Sequence, residues 1–256
     1  MQEALAKFAY REELGIAQRA AREAAQYLSS LSEGQRSVRT DLPHDVKLIG
    51  DVTSESIILT NIQNESPYPV ITEETGVHGH ISKGTPYWVV DPIDGSFNFY
   101  RGVPLVAISI GLWKENEPLL GLICDFQKDE LFLGAVGHGA WLNNRPISVS
   151  KVDQREESIL ATGIPVAAAG DPDYATRLSE KILTFGKIRM FGTAALSLAY
   201  LACGRIDAYS EEEILLWDVA AGIALVRAAG GNVWFEETNR DYGLRVRAAA
   251  NARIWE

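Results

Sequence analysis

Cysteine is scarce in this sequence: Cys124 and Cys203 are the only two in 256 residues, and they show no metal-ligand spacing. Both lie in apolar stretches, as is typical of reduced thiols in a cytosolic protein. The sequence also lacks an apolar run of membrane-spanning length, and Met1-Gln2-Glu3 begins nothing that resembles a signal peptide. These absences predict a reduced, cytoplasmic protein with no membrane partner.

Basic stretches are missing as well. Asp and Glu number 34 against 24 Lys and Arg, which gives a formal net charge of -10. An acidic chain without a basic patch binds phosphate backbones poorly, so we expect no nucleic-acid partner. The remaining composition, 46% hydrophobic and 23% charged, is that of an ordinary globular protein. Its length suits one large domain or two closely packed halves.

The stretch WVVDPIDGS at residues 88–96 carries the clearest chemical pattern. Its apolar start predicts a buried strand that ends at Asp91, because the proline after it cannot continue the ladder and Gly95 permits a tight turn. Asp91 and Asp94 are close enough across this turn to hold one hard cation. The amides of Gly95 and Ser96, at the start of a predicted helix, are free to bind an anion. Taken alone, the pattern also fits an Asx-rich loop after a strand.

This stretch, followed by Asn98-Phe99, resembles the signature of the inositol monophosphatase family of metal-dependent sugar phosphatases. Two further motifs occur in the family's order: Glu73-Glu74 upstream, and Trp217-Asp218 before a small-residue helix. Because the three motifs are widely separated, the resemblance covers nearly the whole chain. It implies the α+β class, with a layered α-β-α-β-α sandwich, an antiparallel-rich N-terminal half and an α/β C-terminal half.

The resemblance also implies a site for two or three magnesium ions. Its ligands are four carboxylates and one backbone carbonyl, those of Glu73, Asp91, Asp94, Asp218 and Ile93. Four carboxylates from three distant segments would repel one another strongly without cations, which agrees with a metal site. Simpler interpretations exist for each motif: Glu73-Glu74 as a solvated strand edge, and Asp218 as a helix N-cap.

Catalysis is assigned by the same resemblance to Glu73 and to the hydroxyl of Ser96, which Asp51 orients. Asp45 and Asp51 resemble the carboxylate pair at the N-terminal edge of the family's active site. One departure is Thr40, because the family often has a lysine a few residues before the first of these carboxylates. The role of this loop therefore stays open.

Substrate contacts also follow from the resemblance. They comprise the phosphate-binding turn, two metal ligands, a hydroxyl-binding helix start and one acidic residue: Asp94, Gly95, Ser96, Asp218, Gly192, Thr193, Ala194 and Glu211. Without the resemblance, residues 192–195 read as a capped helix start. The remaining polar candidates are interpreted as solvated, loop or turn residues: Asp41, His44, His78, His80, His138, Glu212 and Glu213.

Periodicity predicts the elements between the motifs. The N-terminal half, residues 1–150, is expected to hold one or two amphipathic helices over 3–30, a polar loop over 40–51 that leads into a helix, and a meander of strands between 103 and 149. A charged linker follows. Strands then alternate with helices through the second half, residues 151–256, which is typical of an α/β arrangement. We expect most metal ligands in the first half, with Asp218 and the substrate contacts in the second.

These expectations favour magnesium-dependent hydrolysis of small polyol or sugar phosphates such as inositol monophosphate. Fructose 1,6-bisphosphate and adenosine 3',5'-bisphosphate are alternative substrates; the nucleotide ranks last because Phe97 stands where nucleotide-hydrolysing relatives typically carry lysine. A non-catalytic regulatory binding protein of the same fold is the other alternative, although the intact set of carboxylates argues against it. The resemblance further implies a homodimer and sensitivity to lithium. The sequence itself does not identify the physiological phosphate ester.

Overall fold

The computed structural model describes residues 1, 3–32, 38–42, 45–165 and 171–256, with the backbone alone over 38–42 and 45–49. Within these ranges the α-helices are α1 Arg11–Ser30, α2 Ile49–Glu65, α3 Ser96–Arg101, α4 Tyr174–Thr184, α5 Ala194–Ala202 and α6 Leu216–Ala228. The first ten strands are β1 Val38–Leu42, β2 Asp45–Leu48, β3 Val70–Thr72, β4 Gly76–His78, β5 Pro86–Asp94, β6 Ala107–Lys114, β7 Glu117–Asp125, β8 Glu130–Ala135, β9 Gly139–Leu142 and β10 Arg145–Ile147. The remaining strands are β11 Ile159–Thr162, β12 Lys187–Arg189, β13 Ala208–Leu215, β14 Asn232–Glu237 and β15 Gly243–Ala249.

The larger sheet has eight strands in the order β10-β9-β8-β7-β6-β5-β3-β4. Neighbours are antiparallel except β3 and β5, which run parallel. Strand β6 is buried along nearly its whole length, as its continuous apolar run predicts for a strand covered on both faces. Strands β9 and β10, at the end of the predicted meander, are joined by a tight turn in which Asn143 and Asn144 both have positive φ, 47° and 67°.

The second sheet has five strands in the order β12-β11-β13-β15-β14. Strand β11 is parallel to β12 and β13, whereas β15 is antiparallel to β13 and β14. This mixed pattern, with α4, α5 and α6 between the strands in the chain, confirms the α+β class and the α/β character expected for the C-terminal half.

Helices and sheets alternate in layers. Helices α1 and α2 pack on one face of the larger sheet, and α6 packs on its other face beside α5. The second sheet also contacts α5 and α6, while α4 is tied to its outer side through Lys181 and Ser210. A Cβ at Gly121 on β7 would lie 2.0 Å from the carbonyl oxygen of Ala221, so glycine is what lets α6 approach the larger sheet. This approach positions the first turn of α6, which carries Asp218, over the sheet.

Several element predictions are corrected. The first helix begins at Arg11 and not near residue 3, and the expected polar loop includes the β1–β2 hairpin. Its chemically interesting residues lie outside the residues described to the side-chain level: Thr40, Asp41, His44 and Asp45. Strands β14 and β15 were not anticipated, although buried Leu244, Val246 and Ala248 alternate with exposed Arg245 and Arg247 along β15. The helices in the described ranges are all too short or too polar to span a lipid bilayer.

Candidate metal and phosphate site

The geometry of the site begins with a bulge in β5, and this corrects one prediction. Strand β5 does not end at Asp91 but continues to Asp94, with Asp91 opposite Ser109 and Asp94 opposite Ala107 on β6. One extra residue on β5 therefore lies between these pairs, where a proline is tolerated because bulged residues leave the ladder. Asp91 Oδ1 accepts a hydrogen bond from the Ile93 amide at 2.9 Å, which stabilises the bulge.

Three carboxylates meet beside this bulge. Glu73 follows β3, which runs parallel to β5, and Asp218 lies in the first turn of α6. Oxygen atoms of Glu73, Asp91 and Asp218 all lie within 4.8 Å of one another. The Ser109 hydroxyl donates to the carbonyl oxygen of Trp217 at 3.2 Å, which ties the start of α6 to β6 opposite Asp91. The fold thus brings together three of the four carboxylates that the motifs predict.

The helix-terminus interpretation of Asp218 is also partly right. Its Oδ2 accepts a hydrogen bond from the Leu215 amide at 3.1 Å, so one carboxylate oxygen stabilises the start of α6. The same carboxylate belongs to the acidic cluster. Both descriptions hold because a carboxylate has two oxygens and several lone pairs.

The electrostatics of this cluster fit a bound cation. Burial, and then the charges of Glu73, Asp94 and Asp218, raise the pKa of Asp91 well above its ordinary value. The pKa of Asp218 is raised by burial, Glu73 and Asp94 in the same way. Oxygen-rich clusters of this kind are the ligands that hard divalent cations prefer, and the ion would offset the repulsion among the buried carboxylates.

Asp94 lies outside the three-carboxylate cluster. Its Oδ2 accepts hydrogen bonds from the Thr193 hydroxyl and from the Ala195 amide, the latter at 2.7 Å. Burial raises the pKa of Asp94 to about 6, although the hydrogen bonds from Thr193 and Ala195 oppose this shift. Asp94 therefore joins the β5 bulge to the start of α5, and the predicted helix-start segment at 192–194 does reach the site.

The turn after Asp94 requires glycine. Gly95 has φ 93°, and a Cβ there would lie 3.0 Å from the Leu105 carbonyl oxygen. Helix α3 begins at the next residue, and the Ser96 hydroxyl donates to the carbonyl oxygen of Ile93 at 2.9 Å. Asp51, the residue expected to orient Ser96, is buried in the first turn of α2 with 3% of its surface exposed.

Asn98 holds the two halves of the phosphate-binding region together, a role that motif reading missed. Its Nδ2 donates to the carbonyl oxygens of Leu105 and Phe191, at 2.9 and 2.8 Å. Gly192 has φ 70° and packs against this amide, since a Cβ there would lie 3.0 Å from Nδ2. The Asn-Phe pair does not reveal this contact in the sequence, because the contact forms only when the fold brings residues 191–192 beside α3.

Glu211 lies at the edge of the same region on β13. Burial and the charge of Asp94 raise its pKa to about 8, while Tyr209 and Lys181 oppose the shift. The expectation that Glu212 is solvated is wrong, because it is half-buried in ion pairs with Arg177 at 3.0 Å and Lys181 at 3.7 Å. Alternation along β13 sends Glu211 and Glu212 to opposite faces, so only Glu211 faces the site.

The loop interpretation is wrong for His78, which is the last residue of β4, and His44 lies outside the described residues. Among the described residues, the group that can hold a metal contains no histidine. His78 Nε2 lies 2.6 Å from the Thr75 hydroxyl, and His138 lies in a turn where it contacts the Ala4 carbonyl oxygen and the Phe8 ring. Both side chains are therefore engaged with other protein groups outside the acidic cluster.

Comparison with known proteins identifies the family. The model of the inositol monophosphatase family matches residues 4–256. The chain belongs to the inositol monophosphatase family. The resemblance drawn from its motifs is therefore confirmed, and the protein is a phosphoric monoester hydrolase of this metal-dependent family.

Its relatives carry two kinds of name. The chain is 38% identical over 208 residues to Nus factor SuhB of Xylella fastidiosa, covering 80% of this chain and 73% of that protein. It is 37% identical over 212 residues to inositol monophosphatase 3 of Solanum lycopersicum, covering 80% and 79% of the two chains. The structure of an inositol monophosphatase from Anabaena superposes with a TM-score of 0.81 at 33% identity, covering 95% and 92%.

In this phosphatase, Glu55 supports the turn that carries Glu73, and the motifs gave no sign of it. Glu55 on α2 is buried, and its carboxylate accepts hydrogen bonds from the Glu74 amide at 3.0 Å and from the Thr75 hydroxyl. The one signal in the sequence is that Glu55 is a charged residue on a helix face that is otherwise buried. Glu55 therefore belongs to the architecture of the metal site.

We expect Glu55→Gln to lower the free energy of unfolding by about 1–3 kcal/mol, because an amide group would replace an acceptor that two donors need. The magnesium concentration at half-maximal thermal stabilisation should rise at the same time. Glu65→Gln is the matched control: Glu65 lies at the end of the same helix in an exposed pair with Arg19, which contributes little. Equal magnesium titrations for both variants would contradict the supporting role.

The raised pKa values predict how pH affects the folding stability of the metal-free phosphatase. Glu211 at about 8 and Asp94 at about 6 bind protons more tightly in the folded chain than in the unfolded chain, where acids titrate near pH 4. Stability in chelator should therefore rise as the pH falls from about 8 to 5. Melting temperatures across this range measure the effect, and saturating magnesium should reduce it. A metal-free melting temperature that falls steadily over that window would contradict the prediction.

Proposed function

We propose that the protein is a magnesium-dependent phosphomonoesterase that hydrolyses small polyol phosphates such as inositol monophosphate. The observation that carries the proposal is the carboxylate cluster of Glu73, Asp91 and Asp218 next to the glycine turn at Gly95 and Ser96. A cation site and a set of free amides at one end of a strand suit a phosphate ester, whose oxygens interact with both.

The ligand set that we propose combines the cluster with two further oxygens, a carboxylate oxygen of Asp94 and the carbonyl oxygen of Ile93. Magnesium bound there supplies a Lewis acid and a lowered pKa for water, and the family precedent favours two or three ions. The second Asp94 oxygen is held by Thr193 and Ala195, so this residue offers the site a fixed oxygen. Ser96 accounts for one lone pair of the Ile93 carbonyl oxygen, which leaves the other for a metal.

The residues of the chain then have separate roles in the reaction. Glu73 and the Ser96 hydroxyl orient a water molecule, whose proton passes either to the Glu73 carboxylate or to Ser96 as the Ser96 hydroxyl gives its own proton to Asp51. The amides of Gly95 and Ser96 hold the phosphate oxygens as the ester bond breaks. Ser96 is placed for this role because its hydroxyl is anchored at the edge of the β5 bulge.

The substrate end of the site favours a polyol. Gly192, Thr193 and Ala194 form the start of α5 beside the phosphate turn, and Glu211 offers a carboxylate that accepts hydrogen bonds from hydroxyl groups. Phe97 is 60% exposed on α3 and offers no positive charge for a second phosphate. Inositol monophosphate therefore ranks ahead of fructose 1,6-bisphosphate, and adenosine 3',5'-bisphosphate ranks last.

A panel of phosphate esters tests the proposal. We expect phosphate release from inositol monophosphate in magnesium, slower release from the two bisphosphates, and loss of all activity in excess chelator. Lithium is expected to inhibit by competing for a magnesium position. Release that persists unchanged in chelator would refute the metal mechanism, and a preference for the nucleotide would refute the substrate assignment.

A second candidate function is regulatory binding, which the name of the Xylella relative, Nus factor SuhB, brings into consideration. The complete carboxylate set favours catalysis, because a purely binding protein has no need to keep buried, mutually repelling acids. If no ester in the panel is hydrolysed while magnesium still stabilises the fold, the regulatory function gains support. We also propose a cytoplasmic homodimer, which light scattering of the purified protein checks.

A further inference from the structure

Tyr209 is a buried residue beside Glu211 for which the reaction outlined above has no role. It lies two positions before Glu211 on β13, so the two side chains leave the strand on the same face. Its neighbours in register are Ala161 on β11 and Ala248 on β15, small residues that leave space for the phenol ring. The Tyr209 side chain is fully buried. A hydroxyl group buried at this position calls for a structural or functional explanation.

The Tyr209 hydroxyl makes no well-aligned hydrogen bond to the residues that the structure describes, although it is close enough to Glu211 to oppose the rise in the pKa of that carboxyl. Burial, and then the charges of Glu211, Asp218 and Asp94, raise the pKa of this phenol well above its ordinary value. The hydroxyl therefore faces the carboxylates of the site and keeps its proton. A protonated donor close to acceptor carboxylates, with its hydrogen uncommitted, is ready to hold one of them in place.

Gly163 lies on the other side of Glu211. A Cβ at this position would lie 2.6 Å from Oε1 and 2.8 Å from Oε2 of Glu211, so any side chain there would displace the carboxylate. The segment itself is well anchored: the Tyr174 hydroxyl donates to the Gly163 carbonyl oxygen at 2.9 Å, and Thr162 donates to the Ser210 carbonyl oxygen at 2.6 Å. Glycine is thus required by the space that Glu211 occupies.

We propose that Tyr209 and Gly163 are positioning residues for Glu211. The Tyr209 hydroxyl donates to the Glu211 carboxylate, the missing side chain at Gly163 leaves room for it, and Glu211 so held accepts a hydrogen bond from a substrate hydroxyl. The inference rests on the proposed function and narrows its substrate class to phosphate esters that carry a free hydroxyl within reach of the ester oxygen. Together these residues select polyol phosphates over simple phosphate.

The first test is Tyr209→Phe, which removes one oxygen atom. We expect KM for inositol monophosphate to rise severalfold, up to about tenfold, which corresponds to the loss of one hydrogen bond. The inhibition constant of inorganic phosphate, which has no polyol to contact Glu211, should stay within about twofold. Tyr87→Phe is the matched control, because its hydroxyl donates to the Glu115 carbonyl oxygen away from the site. An unchanged KM, or KM and the phosphate constant rising together, would overturn the proposal.

A double-mutant cycle separates positioning from a direct contact. If Tyr209 acts through Glu211, Tyr209→Phe/Glu211→Gln should have the same KM as Glu211→Gln alone. Gly163→Ala should raise KM in the same selective way, whereas Gly15→Ala, where a Cβ has room on α1, should not. Independent, multiplicative effects of the Tyr209 and Glu211 changes on KM would show that Tyr209 does not work through Glu211.

Failure of the proposed function is distinguishable from failure of this inference. If the wild-type protein releases no phosphate from any polyol phosphate, the function is wrong. Titration calorimetry of inositol monophosphate and inorganic phosphate, in magnesium, then measures the same discrimination without turnover. Tyr209→Phe should weaken only the polyol ligand; equal weakening of both, or of neither, would overturn the positioning role.

Discussion

Asp91→Asn is expected to abolish most of the stabilisation by magnesium while leaving the metal-free protein equally or more stable. In the proposed function magnesium binds the folded cluster and hardly binds the unfolded chain, so a hundredfold excess over Kd should add about 2.7 kcal/mol to the free energy of unfolding. For a chain of this length that is a shift of several degrees, at about 2–4 °C per kcal/mol. The variant loses this shift because an amide cannot replace the charge of a buried carboxylate ligand.

The metal-free variant should not be weakened, for two structural reasons. Asparagine keeps the side-chain oxygen that accepts the Ile93 amide, so the β5 bulge retains its hydrogen bond. It also removes one charge that Glu73, Asp94 and Asp218 repel. Asp153→Asn is a suitable control, since Asp153 forms a largely exposed pair with Arg253 far along the chain from the cluster. A sharp fall in the metal-free melting temperature, with the magnesium shift intact, would identify Asp91 as a structural residue only.

Ser96→Ala is expected to lower kcat by ~10²-fold or more, the scale of positioned proton transfer. The hydroxyl donates to Ile93 at the edge of the bulge, and removing one such neutral hydrogen bond costs only about 0.5–1.5 kcal/mol of stability. The protein should therefore remain folded at the assay temperature. Ser96→Thr keeps the hydroxyl and should be nearly silent, which isolates the oxygen atom as the cause.

One further variant and one control variant test how this result is interpreted. Asp51→Asn should lower kcat in the same direction, because in the proposed mechanism this buried carboxylate orients the Ser96 hydroxyl. Ser179→Ala is the matched control, since its hydroxyl donates to the Ala175 carbonyl oxygen on an exposed helix face. Wild-type turnover in Ser96→Ala would mean that water activation depends on other residues. The comparison is made at saturating magnesium so that kcat, and not metal affinity, is measured.

Much of the site could be predicted because its residues occur in short motifs. Asp91, Asp94, Gly95 and Ser96 are neighbours in the chain, and the chemistry of one turn makes them recognisable together. Glu73 and Asp218 were added through the resemblance, and the structure brings both to Asp91. Their individual catalytic and ligand roles stay predictions. The elements were predicted best where apolar residues run continuously, as in β6 and α6.

The residues that prediction missed act across the fold. Glu55, Asn98 and Gly163 contact the site through partners far away in the chain, so no local pattern marks them. The same reason explains two errors. Glu212 was judged solvated because its partners Arg177 and Lys181 lie on another element, and β5 was ended at Asp91 because a bulge depends on the pairing with β6.

The sequence by itself determined which chemistry this protein carries: oxygen ligands for a hard cation, a glycine turn with free amides, and the membership of a phosphatase family. These are local properties, since residue type and short spacing decide them. Only the tertiary structure decided that Asp218 meets Asp91, that one oxygen of Asp94 is already held by Thr193, and that Glu211 is confined beside Gly163. Such contacts depend on sheet register and on how closely α6 approaches the larger sheet, and packing sets both.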